Sequence, residues 1–77
     1  MKTKLLHRLR VKASKRLVID EHRSYSDMTV FIIYYKGVKL FTEVCTPDEY
    51  EKAKELVFRT SDRIIRESIL KELNKYK

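Results

Sequence analysis

The chain has 77 residues, of which 43% are hydrophobic and 38% are charged, with a single Gly and a single Pro. This length fits one compact domain and excludes a two-lobed enzyme, and the lack of Gly and Pro excludes Gly-rich phosphate loops. The formal net charge is +7, and it lies in residues 1–16, which hold seven basic residues and no acid. So concentrated a positive charge is typical of a surface that binds phosphates or an acidic partner.

The first predicted element is an N-terminal helix over residues 2–14. At 100° per residue, one third of the helical wheel collects the apolar side chains Leu5, Leu6, Leu9, Ala13 and Leu17. The opposite side carries Lys4, Arg8, Lys12 and Lys15. Residues 8–13 also alternate between basic and apolar, as a strand would, but their high helix propensity favours the helix.

Three strands are predicted next. Residues 15–21 contain Leu17, Val18 and Ile19 and form a short first strand by their β-branched content, and the polar residues 21–27 form a loop. The uncharged run Met28 to Tyr35 is predicted to be a central strand buried on both faces. Lys36 and Gly37 then form a tight turn into a third strand, 38–45, with Gly37 supplying a positive φ.

A regular two-residue hairpin would fix which side chains share each face of the sheet. Counting outward from the turn, the core face carries the following residues: Thr29, Phe31, Ile33, Tyr35, Val38, Leu40, Thr42 and Val44. The second face then groups two aromatic side chains, Tyr34 and Phe41, with Lys39. This arrangement would suit base stacking, or coverage by a helix or a second subunit.

A long C-terminal helix is predicted to begin at Pro47. Thr46 can cap its N-terminus and Glu49 can complete a capping box. Its apolar residues change side near Ser61, which leaves open a kink or a break there. Beyond that point a second apolar stripe consists of Ile65, Ile69, Leu73 and Tyr76. The stripe could be covered by the N-terminal helix, by a kink onto the sheet, or by a second copy of the chain.

These elements predict a single α+β domain of order αβββα, with a three-stranded antiparallel sheet. The longest apolar run has six residues, so we expect no membrane span, and the N-terminus lacks a secretory h-region. The single Cys45 favours a reducing compartment, here the cytoplasm. In topology alone the order resembles the double-stranded-RNA-binding domain. That family has a basic cluster at the start of its second helix, where this chain has Asp48, Glu49 and Glu51, so we assign no family.

No set of residues indicates catalysis, a cofactor or a metal. Asp20, Glu21, His22 and Asp27 lack the further His or Cys ligands that a zinc site needs. Cys45 has no neighbouring base in the sequence, and none of the serines lies in a nucleophile-elbow motif. His7 has no visible partner. We therefore expect a non-enzymatic binding domain.

The basic N-terminal segment is the strongest functional candidate. Cations on one helical side can neutralise several phosphates and release their counterions, which predicts non-specific nucleic-acid binding. The residues assigned to this contact are Lys4, Arg8, Lys12, Lys15, Arg16 and Lys39. The alternative is a protein-interaction or homodimerisation module. Its contact residues would be Ile65, Ile69, Leu73, Tyr76, Tyr34 and Phe41.

Overall fold

A computed structural model describes residues 2–75 of the chain. The five elements follow in this order: α1 (Lys2–Arg16), β1 (Leu17–Arg23), β2 (Thr29–Tyr35), β3 (Val38–Cys45) and α2 (Tyr50–Asn74). The strands form one antiparallel sheet in the order β1-β2-β3. The predicted αβββα architecture is therefore confirmed, and the N-terminal segment is a helix rather than a strand.

β1 is longer than the sequence predicts. It continues through Glu21 and His22 to Arg23, which were assigned to a loop, because these residues pair with the start of β2. Arg23 lies opposite Thr29 in the ladder. Polar residues on an edge strand can extend the pairing because one side of such a strand faces water. The connection that remains is short, and Ser26 and Asp27 have positive φ angles of 64° and 61° in it.

The β2–β3 turn forms as predicted, but the strand after it contains a bulge. Lys36 and Gly37 both have positive φ, 54° and 79°, as a type I′ turn requires. Tyr35 pairs with Val38 and Tyr34 with Lys39, after which the register shifts so that Ile33 pairs with Phe41. Leu40 is the extra residue of this β-bulge.

The bulge reverses the predicted faces of most of β3. Because one inserted residue breaks the alternation, Phe41 and Cys45 lie on the core side and Thr42 and Val44 on the other. Cys45 is buried, whereas Val44 is 51% exposed. The assignment of Thr42 and Val44 to the core, and of Phe41 to the second face, was therefore wrong.

The core lies between the sheet and the first half of α2. Phe31, Ile33, Cys45, Ala53 and Val57 are buried there. The partly buried side chains packed around them are Leu17, Ile19, Phe41, Tyr50 and Ile64. One face of the sheet and one side of one helix thus supply the main core.

The capping residues at the start of α2 interact as predicted. A turn of 3-10 helix, Pro47–Glu49, leads into the α-helix. The Glu49 carboxylate accepts hydrogen bonds from the Thr46 hydroxyl, at 2.9 Å, and from the Thr46 backbone N–H, at 3.3 Å. These two bonds lower the pKa of Glu49 below its ordinary value.

α2 is continuous from Tyr50 to Asn74, so the helix does not break near Ser61. The hydroxyls of Thr60 and Ser61 donate to the carbonyls of Leu56 and Val57, both at 2.8 Å, and so remain within the helix. Its 25 residues reach about 37 Å, more than strands of seven or eight residues can cover. The end of α2 therefore projects beyond the sheet.

α1 packs against α2, chiefly through small and apolar side chains. Leu9 and Ala13 of α1 are buried, as is Ile69 of α2. Because α1 leads directly into β1, it continues past the same end of the sheet as α2, and the molecule is elongated, at 50 × 21 × 15 Å. Within residues 2–75 neither helix is long and apolar enough to span a membrane.

The sheet face that points away from α2 is called here the outward face. It consists of Val18, Asp20, His22, Val30, Ile32, Tyr34, Lys39, Thr42 and Val44. The central-strand members are half-buried by their neighbours in the sheet, and Val18 is 56% exposed. The prediction that β2 is buried on both faces was therefore wrong, because α2 covers only one of them.

Candidate functional site

α1 presents a continuous row of cations to solvent. Lys4, Arg8, Lys12 and Lys15, here called the basic helix face, are all exposed. They lie on this side of the helix because Leu9 and Ala13 turn the other side toward α2. Since Lys15 follows Lys4 by eleven residues, the row extends over about 16 Å of helix.

No acidic side chain neutralises this row within the described part of the chain. The ion pairs found there join Arg59 to Glu55, Arg66 to Asp62 and Lys75 to Glu72, and the His22 imidazole lies 3.4 Å from the Asp20 carboxylate. All three ion pairs lie along α2 and its C-terminal cap residue, with partners three or four residues apart, where such pairs reduce the local charge. α1 contains no acid with which to form them. The positive charge of the basic helix face is therefore presented to solvent without a partner.

The turn between β2 and β3 adds a further cation that the sequence reasoning did not assign to this surface. The Lys36 backbone N–H donates to the carbonyl of Arg16, at 3.0 Å, and places Lys36 beside the last residue of α1. Lys36 is exposed, whereas the side chain of Arg16 is half-buried. The pairing of Leu17 with Tyr35 in the sheet brings these segments together. Predicting that strand register would have revealed that Lys36 lies next to Arg16.

The two aromatic residues predicted to form a stacking platform lie on opposite faces of the sheet. Tyr34 lies on the outward face, where Lys39 is its β3 neighbour. Phe41 packs against the core instead, because the bulge at Leu40 turns it to the other side. One aromatic residue therefore remains beside Lys39 where two were expected.

The second apolar stripe of α2 is largely covered by α1. Ile69 is buried, and Ile65 and Leu73 are half-buried. The contact between the two helices is the first of the three coverings considered from the sequence. Tyr76 lies outside the described residues.

The acidic and histidine residues near the end of β1 do not converge on a common point. His22 and Asp20 form an exposed pair on the outward face, with Nδ1 and Oδ2 3.4 Å apart. Glu21 points to the other face and accepts a hydrogen bond from the Tyr50 hydroxyl at 3.0 Å, which raises the pKa of Tyr50. Among the described residues, no three His, Cys, Asp or Glu side chains are grouped so as to hold a metal ion.

Cys45 has the surroundings of a packed thiol. Its side chain is 2% exposed, and burial, followed by the charges of Glu49, Glu43 and Glu21, raises the pKa of the thiol. A raised pKa keeps the thiol protonated at neutral pH, and the protonated form is a poor nucleophile. This environment opposes a nucleophilic role for Cys45.

Comparison of the chain with protein-family models, with curated proteins and with solved structures finds no match.

Proposed function

We propose that this protein is a non-enzymatic nucleic-acid-binding domain that contacts the phosphate backbone through the basic helix face, together with Lys36. The observation that carries the proposal is the row of four exposed cations on α1, none of which has an ion-pair partner among residues 4–75. We place this activity in the cytoplasm, since the chain holds a single cysteine, as is typical of a reducing compartment.

The electrostatics of α1 suit a polyanion better than a single anion. Duplex DNA carries one charge per roughly 1.7 Å of its axis, both strands counted, so a 16 Å length of duplex holds about nine or ten phosphates, and those on the near side face the row. Neutralising several of them releases condensed counterions, which supplies affinity without base recognition. The ion pairs of α2 make that helix a weaker competitor for the same ligand.

The proposed binding does not include recognition of particular bases. The basic helix face offers lysine and arginine side chains, which bind phosphates on any sequence when they lie along a helix flank. On the outward face, Tyr34 and Lys39 provide a single stacking position for an unpaired base. The expected ligand preference is therefore for charge density, with little dependence on sequence.

The experiment compares two variants of equal net charge. In the first, Lys4, Arg8, Lys12 and Lys15 are all replaced by Gln, which preserves helix propensity. In the matched control, four exposed α2 cations are replaced instead, namely Lys52, Arg59, Arg63 and Arg66. Binding to duplex DNA, single-stranded DNA and structured RNA is measured by gel shift and fluorescence anisotropy at several salt concentrations.

We expect the α1 variant to lose most of its affinity at about 50 mM salt, while the control retains it. The slope of log K against log salt should fall by roughly 0.9 for each duplex phosphate contact removed, so by about three to four. An equal loss in both variants would show that net charge alone drives binding. Absence of binding by the unmodified protein at about 50 mM salt would refute the proposal.

A further inference from the structure

α1 is exposed around most of its circumference. Among residues 4–15, Leu9 and Ala13 are buried, Leu5 is half-buried, and every other side chain is exposed. At 100° per residue, the exposed positions span about 240° of the helical wheel. α1 packs chiefly against α2 and extends past the end of the sheet. Its outer side therefore lies open to a large partner.

Cations lie on both flanks of this outer side. The basic helix face forms one flank, and Arg10 lies about 120° to 160° around the helix from each of its members. Arg10 is exposed, and the described residues contain no ion pair to it. Between the flanks lie His7, Val11 and Ser14, here called the crest of α1, which fall within about 60° of one another. The crest thus places side chains shorter than lysine or arginine between two positive flanks.

We propose that α1 seats in the major groove of a B-form DNA duplex, with its crest toward the base pairs and its two flanks against the phosphates of opposite strands. This inference deepens the proposed nucleic-acid binding and rests on it. The major groove is about 12 Å wide and admits an α-helix of about 10 to 12 Å diameter, whereas the minor groove, about 6 Å wide, does not. The major groove of A-form RNA is deep and narrow, and side chains cannot reach its floor. The ligand class is therefore duplex DNA.

The positions of the cations favour the groove over the outside of the duplex. A helix that lies across one phosphate backbone uses a single flank, and Arg10 would then point away from the DNA. Inside the groove each flank faces its own strand, so the basic helix face and Arg10 both contact phosphates. The crest holds none of the Arg, Asn or Gln side chains that make bidentate contacts with bases. The seated helix therefore reads the shape of the groove and has little sequence preference.

The first test blocks the groove without changing the number of phosphates. Three duplexes of matched sequence are compared by fluorescence anisotropy: unmodified DNA, DNA whose cytosines carry a glucosylated hydroxymethyl group at C5, and RNA. The C5 substituent projects into the major groove, as the thymine methyl does. We expect the glucosylated DNA and the RNA each to bind at least about tenfold more weakly than the unmodified DNA. Equal affinity for glucosylated and unmodified DNA, or for RNA and unmodified DNA, would overturn the proposal.

A substitution on the second flank tests whether both flanks contact the backbone. Arg10→Gln should remove one phosphate contact and lower the slope of log K against log salt by roughly 0.9. Arg23→Gln is the matched control, because it makes the same change at an exposed arginine at the far end of β1. The control should leave the slope of the unmodified chain unchanged. Equal slopes for the two variants would show that α1 binds through one flank, which would overturn the proposal.

A bulky residue on the crest tests the approach to the base pairs. Val11→Trp should weaken binding to unmodified duplex DNA by about fivefold or more, because the indole ring holds α1 away from the groove floor. Val44→Trp makes the same change at an exposed side chain at the end of the sheet opposite α1, and its affinity should stay within about twofold of the unmodified chain. Circular dichroism checks that both variants fold. Equal affinities of the two variants would contradict a crest that faces the bases.

The same measurements separate this inference from the proposed function. Failure of the unmodified chain to bind unmodified duplex DNA at about 50 mM salt would refute both together. Binding that is lost on removal of the basic helix face but ignores the glucosyl groups would overturn the groove alone, and α1 would then lie across the outside of the backbone.

Discussion

The two faces of the sheet are built from similar residues and have different fates. On β2, Phe31 and Ile33 are 2% and 0% exposed under α2, while the neighbouring Val30 and Ile32 are half-buried on the outward face. Hydrophobicity alone does not distinguish the two sets. The difference comes from strand alternation together with the single helix that covers the sheet. An apolar strand therefore does not establish that both of its faces are enclosed.

The largest expected effect comes from placing the same charge on each of two adjacent isoleucines. Ile33→Lys buries an ammonium with no partner, which should exceed the roughly 4 to 12 kcal/mol of stability available to a chain of this size. Ile32→Lys points to the outward face, opposite Asp20, and should cost about 1 to 2 kcal/mol. Thermal and urea denaturation of both variants measures the difference.

Ile32→Lys also serves as the control for that experiment. A folded Ile33→Lys protein, or equal destabilisation of the two variants, would contradict the assignment of the faces.

A pair of single-residue deletions tests the bulge that sets the faces of β3. Removing Leu40 should leave a regular hairpin in which Phe41 still pairs with Ile33, at a cost of about 1 kcal/mol for the contacts of a half-exposed side chain. Removing Ile32 from the unbulged β2 turns half of that strand to the wrong face and should unfold the protein. Circular dichroism and thermal melting distinguish these outcomes, and a ΔLeu40 protein that does not fold would contradict the register.

The smallest expected effect concerns the N-terminal cap of α2, the helix that covers the core face of the sheet. Thr46→Ala removes the hydroxyl that donates to Glu49 and should lower the melting temperature at pH 7 by roughly 4 to 8 °C. The pKa of Glu49 is lowered in the folded state, so its contribution is present above the ordinary glutamate pKa and is lost as pH falls through the folded value. The deficit of Thr46→Ala should therefore shrink below about pH 4.

Glu49→Gln is the matched variant for the cap, because the amide oxygen can still accept from Thr46 but does not titrate. Its melting temperature should differ from that of the unmodified chain near neutral pH and converge with it in acid. A Thr46→Ala deficit that stays constant from pH 7 to pH 3 would contradict the role given to the carboxylate.

Local patterns in the sequence predicted the type and order of the helices and strands, because helices, strands and turns depend on residues that are neighbours in the chain. The positive φ at Gly37 and the interaction of Glu49 with Thr46 are both present. The extension of β1 to Arg23 was missed because it depends on pairing with Thr29, and no local pattern reports that partner. The exposure of the basic helix face followed from helical periodicity, whereas the position of Lys36 beside Arg16 depends on the sheet.

The sequence by itself determined the number and type of elements, the hairpin turn and the location of the net charge, because each arises from residues within a few positions of one another. The tertiary structure decided which sheet face is enclosed, that Phe41 rather than Val44 faces the core, and that α1 covers Ile69. These outcomes depend on one inserted residue, Leu40, and on the side from which α2 approaches. A one-residue shift turns every side chain of a strand to the opposite face of the sheet. The hydrophobic pattern cannot tell which face is buried when both faces are apolar.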